Sequence, residues 1–143
     1  MKTFVFLFFT ALLQYTAIAQ NGTTSASAQY PVGMTVDQFN LKLKTSTKPL
    51  FVNFTADWCV VCKRQKPILD QVMLDTGNKV DFLIIDMENN PAIADYFEVD
   101  GLPVIILYIN GSMIWNRVGL QDRTQLLNQV GTYILQNTTQ SPH

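Results

Sequence analysis

The chain has 143 residues, of which 48% are hydrophobic and 15% charged, and its formal net charge is −1. That length and composition predict one globular domain with a substantial core and exclude a disordered, charge-rich chain. No basic excess favours a nucleic-acid partner, and two cysteines are too few for the disulfide framework of a small secreted domain.

The N-terminus opens with Met1-Lys2, a short positive start, followed by an apolar run from Phe4 to Leu13 broken by Thr10. Ala17-Ile18-Ala19 then places small residues where a signal peptidase reads them. The apolar run falls short of the roughly 20 residues a bilayer span needs. Residues 1–19 therefore read as a signal peptide cleaved before Gln20, and the protein is expected to be exported to a periplasm or secreted. Residues 20–30 are rich in Asn, Gly, Thr, Ser and Gln and read as a flexible linker. The folded domain is expected over 31–143.

Within it, Val36, Phe39 and Leu43 fall at helical spacing behind Thr35, a potential cap. Pro49 marks a break, and Leu50 to Phe54 reads as a buried strand. From Asp57 the pattern turns helical, with Cys62, Ile68, Leu69, Val72 and Met73 on one face and a stop at Asp75-Thr76-Gly77-Asn78. Val80 to Ile85 is a second buried strand. Asn90-Pro91 reads as a cap followed by proline at the first helical position, with Ile93 and Phe97 turned inward. Val104 to Ile109 is a strand, Asn110-Gly111 a two-residue hairpin turn, and Met113 to Val118 the antiparallel return. Leu126, Leu127, Val130 and Ile134 mark a closing helix. Alternating strands and helices ending in a hairpin predict an α/β fold with a mixed central sheet flanked by helices.

Chemistry concentrates in Trp58-Cys59-Val60-Val61-Cys62-Lys63, where a predicted strand gives way to a helix. A cysteine at a helix N-terminus meets unpaired backbone N–H groups and the positive end of the dipole, and both favour the thiolate. The second sulfur lies one turn further on, within bonding reach, so one cysteine can attack a disulfide and the other resolve the product. A structural zinc site needs about four ligands, and the single histidine is His143 at the tail. A c-type haem site needs histidine where Lys63 stands. A staple closing so small a loop contributes less than the roughly 3 kcal/mol expected for fifteen residues.

Taken with Pro67 inside the helix, Gly101-Leu102-Pro103, Asn110-Gly111 and Gly119, this motif resembles the thioredoxin family over most of the fold, from Phe51 to Val130. The run Ala56 to Lys63 looks most like the periplasmic C-terminal domain of the transmembrane thiol:disulfide interchange protein, a reductant. The resemblance implies the thioredoxin fold, Cys59 as nucleophile and Cys62 as resolving thiol of a redox-active disulfide, and a cis Pro103 lying against it. It implies too that the Leu102 backbone pairs with an extended substrate segment, with Trp58 a candidate wall of the substrate surface; simple packing is the alternative for Trp58. Three positions depart from the family. Asn53 stands where thioredoxins carry a buried aspartate, Phe82 where a lysine often accompanies it, and Lys66 where the interchange domain is acidic. Lys63, Arg64 and Lys66 otherwise read as a solvated helix face.

The expected function is protein-disulfide reduction through a mixed disulfide; the alternatives are an oxidase or isomerase, or a binding module with incidental cysteines. No cofactor or metal is expected, since the two thiols carry the electrons. Expected partners are protein disulfides and a thiol electron donor, possibly a membrane protein, with the chain itself a monomer.

Overall fold

The computed structural model describes residues 28–138, so the signal segment expected over 1–19 and most of the linker lie outside the described residues. The elements run β1 (Ala28–Gln29), α1 (Val36–Thr45), β2 (Leu50–Thr55), α2 (Val60–Thr76), β3 (Asp81–Asp86), α3 (Pro91–Tyr96), β4 (Val104–Ile109), β5 (Ser112–Val118) and α4 (Arg123–Thr138). The five strands form one sheet in the order β1-β3-β2-β4-β5. β1 and β2 run parallel to β3, while β4 is antiparallel to β2 and β5 antiparallel to β4.

Strand alternation sorts the core into two layers. Leu50, Val52 and Phe54 of β2 join Phe39 of α1 and Ile93 of α3 on one face. Phe51 faces the other way, with Leu69 and Val72 of α2 and Leu126 and Val130 of α4. Both faces are covered, which is why the inner strands read as continuous apolar runs. The same alternation turns Asn53 toward α2.

Local chemistry explains the element ends. Thr35 and Gln38 form a reciprocal capping box at the start of α1. Gly77, at φ 55°, ends α2. Asn110 and Gly111, at φ 51° and 77°, make the tight turn whose twist suits a hairpin. Arg123 grips Asp75 through two bonds of 2.6 and 2.7 Å, joining the start of α4 to the end of α2.

One expectation needs correction. The linker expected over 20–30 gives way earlier, because Ala28 and Gln29 pair with Phe82 and Leu83. Asn90 is the N-cap of α3 with Pro91 in the first helical position, as expected, but its side chain makes no cap hydrogen bond. It is fully buried, donates to the Pro31 and Asp86 carbonyls, and accepts from the Met34 N–H, each at 2.9 Å. It thus fastens the segment after β1 to the end of β3.

Candidate active site

α2 starts at Val60, three residues later than Asp57, and its N-cap is Cys59. The Cys59 Sγ accepts the Cys62 backbone N–H at 3.0 Å, taking the place of the oxygen that usually satisfies an unpaired donor there. A thiolate at that position gains a charge-assisted hydrogen bond and the helix dipole. Cys59 is therefore the sulfur whose anion the fold stabilises. Cys59 and Cys62 are joined in a disulfide with their Cα atoms 5.2 Å apart, and each residue is 5% exposed.

Ala56, Cys59 and Cys62 form a small apolar cluster, and Leu102 packs on it. The Leu102–Pro103 peptide is cis, as the family resemblance implies. Pro103 is buried and Leu102 half-buried. The preceding Gly101 is tight: a Cβ there would stand 3.1 Å from Val118 Cγ1. The Pro103 carbonyl accepts the Gly119 N–H at 2.8 Å, so the loop is pinned to the end of β5. Trp58 and Val60 are 66% and 71% exposed and rim the site with apolar surface. Among the described residues Trp58 belongs to no core cluster.

On the α2 side of the sheet, a pocket of about 330 Å³ opens next to Cys62; Asn53, Ala56, Lys63, Tyr30 and Val32 are among its walls. Asn53 is 5% exposed, and its Oδ1 is buried without a hydrogen-bond partner among the described residues. Phe82 is buried and brings no polar group to the core beneath it. Asp57 and Asp86 also border the pocket. Lys66 turns to Asp70 at 2.8 and 3.1 Å, and that hydrogen bond holds its pKa above the ordinary value against some desolvation. Lys63 and Arg64 are exposed, as a solvated helix face should be.

Sequence reasoning missed Gln65. It is fully buried on α2, one turn beyond Cys62; its Nε2 donates to the Gln121 carbonyl at 3.1 Å and its Oε1 accepts the Gln121 N–H at 2.7 Å. Gln121 in turn donates from Nε2 to the Gly119 carbonyl at 3.1 Å. The signal was available as a polar residue at i+3 from Cys62, inside the apolar stripe that continues through Leu69 and Val72.

The comparisons with known proteins agree with this geometry. A family model described as Thioredoxin matches residues 31–132. A thioredoxin of Mycolicibacterium smegmatis is 32% identical over 101 residues, covering 69% of this chain and 90% of the relative. A thioredoxin-like protein of Synechocystis is 33% identical over 92 residues, covering 64% of this chain and 88% of the relative. Among solved structures, the thioredoxin of Malassezia sympodialis superposes with a TM-score of 0.63 at 25% identity, covering 76% of this chain and 92% of that one. An N21Q mutant thioredoxin of Halobacterium salinarum gives a TM-score of 0.65 at 24% identity, covering 78% and 94%, a likeness of fold. The match runs from before α1 into α4 and takes in both the paired cysteines and the later cis Leu102–Pro103 loop: the chain belongs to the thioredoxin family, as a thioredoxin-like oxidoreductase with a cysteine pair close enough to form a disulfide.

Proposed function

We propose that this protein is an exported protein-disulfide reductase that works through a mixed disulfide. The observation that carries the reading is the hydrogen bond from the Cys62 N–H to the Cys59 Sγ, which makes the two cysteines chemically unequal. The Cys59 thiolate attacks a substrate disulfide, forming a bond to one substrate sulfur and expelling the other as thiolate. Cys62 then loses its proton and attacks the Cys59 sulfur. The second substrate thiol leaves, and the Cys59–Cys62 disulfide retains the oxidising equivalent, so two electrons pass to the substrate.

Leu102, beside the disulfide, offers its backbone to an extended substrate segment, and Trp58 offers exposed apolar surface. A thiol donor must then reduce the pair again, and a membrane protein could fill that role. The leader-like residues 1–19 support export, and the protein is proposed to act as a monomer. The compartment's poise and the partner decide the direction of electron flow, and what lies between the cysteines supports the reductant reading. Val60 and Val61 supply neither charge nor a polar hydrogen to deepen the thiolate, and the run resembles that of the reductant interchange domain.

Equilibration with a glutathione buffer tests the reading. The potential should lie nearer the thioredoxin value of about −270 mV than the strongly oxidising value of about −120 mV. A potential more oxidising than about −150 mV would overturn the reductase reading in favour of an oxidase.

A further inference from the structure

We propose that Gln65 is a positioning residue that sets the Leu102–Pro103 segment against the cysteine pair and so governs the use of polypeptide disulfides; the proposal rests on the reductase reading. The hydrogen bonds form a circuit. Gln65 follows Cys62 by one helical turn and holds the Gln121 backbone through both ends of its amide. The Gln121 side chain holds the Gly119 carbonyl, and the Gly119 N–H holds the Pro103 carbonyl. Leu102 closes the circuit by packing on the cluster of Cys59 and Cys62.

A leucine at position 65 would continue the stripe from Cys62 to Leu69 with no amide to desolvate. A buried amide is costly unless its bonds are made. Here both ends are spent on one loop, and what they fix is direction: the backbone that receives a substrate strand is held at a set distance from the reactive sulfur. A polypeptide disulfide docks on that backbone. A small disulfide without a peptide backbone reaches Cys59 without it.

The test compares reduced wild type with Gln65→Met and Gln121→Met. Insulin and bis(2-hydroxyethyl) disulfide serve as substrates, and kcat/KM is read for each. Gln121→Met leaves the two Gln65 bonds to backbone in place and cuts the circuit at Gly119. Gln121→Met should lower the ratio of insulin to small-disulfide kcat/KM about fivefold, as loss of one net hydrogen bond implies, and Gln65→Met, which loses two, at least as much, both mainly through KM. The double variant should fall no further than the worse single one, because both cut one chain of contacts. Equal losses on both substrates, an unchanged ratio in either variant, or additive losses would overturn the proposal. A wild-type protein that reduces neither substrate would refute the reductase reading instead, so the two failures are distinguishable.

Discussion

Replacing Asn53 by aspartate would put a carboxyl into the pocket that Cys62 borders. The position is 5% exposed, its Oδ1 has no hydrogen-bond partner among the described residues, and the lysines that line the pocket, Lys63 and Lys66, are exposed, so among the described residues no buried cation stands ready there to balance a charge. Desolvation should therefore raise the new carboxyl's pKa, and each unit of rise costs about 1.4 kcal/mol once the pH exceeds the raised value. The unfolded carboxyl ionises first, near pH 3.9. Stability thus falls as pH climbs from about 3.9 to the folded pKa and stays low above it. Once ionised, the group can take the Cys62 proton. A well-placed general base contributes about 10²–10⁴-fold, and without polar support a gain of about tenfold in the resolving step is expected. The assay is stopped-flow release of a small thiol from its mixed disulfide with Cys59, followed from about pH 5 to 9. The variant should run ahead of the wild type at neutral pH, with an added limb where the carboxyl titrates. Superimposable profiles with the fold intact would mean that water or the leaving thiolate already accepts the proton, and that Asn53 is a packing residue.

Other outcomes follow from the same contacts. Cys62→Ala should accumulate mixed disulfides with protein partners, whereas Cys59→Ala should trap none; trapping by Cys59→Ala on a gel under non-reducing conditions would reverse the roles. In the reduced protein, alkylation against pH should show Cys59 reacting first and titrating below a free thiol. Asn90→Ala removes three hydrogen bonds that cross 56, 59 and 4 residues of sequence, and should cost roughly 2–4 kcal/mol in urea unfolding. A loss below about 0.5 kcal/mol would show that the segment is held by something else. Burial, with a smaller contribution from the charge of Tyr96, raises the Tyr108 phenol from 10.0 to about 12. The folded state then keeps its proton longer than the unfolded state. Stability should be constant below pH 10 on this account and fall by on the order of 2 kcal/mol as pH rises toward 12. Tyr108→Phe should flatten that alkaline slope in thermal unfolding, and an unchanged slope would refute the assignment.

The parts of this molecule that could be read from sequence are those fixed by near neighbours. β4 spans Val104–Ile109, as expected, because Pro103 and Asn110-Gly111 punctuate an apolar run on both sides. The cysteine pair was legible because three residues of helix suffice to bring the sulfurs together. The start of α2 was placed early because its cap is a sulfur, and helix starts are ordinarily signalled by oxygen side chains. Asn90 is the N-cap that its place before Pro91 signals, but its side-chain partners were not legible, since they include Pro31 and Met34, far back along the chain. Gln65's place in the apolar stripe marks it as buried, but its partner, the Gln121 backbone 56 residues on, is set only by the fold. The cis geometry of Pro103 came from family resemblance, because an X-Pro dipeptide carries no local mark of its isomer.

The brevity of β1 has a consequence for where the domain can be cut. The family match begins at residue 31, but Ala28 and Gln29 already sit on the outer edge of β3. A fragment beginning at the match would lose those two residues and Tyr30, and β3 would become a terminal strand. Its sequence from Phe82 to Ile85 is wholly apolar. Such an edge, with free N–H and C=O groups beside large hydrophobic side chains, is a template for pairing with another copy. Ala28 and Gln29, with the segment after them secured by Asn90, cover that edge of β3. A fragment starting at Ala28 should remain dispersed, while one starting at Met34 should aggregate in light scattering at the same concentration.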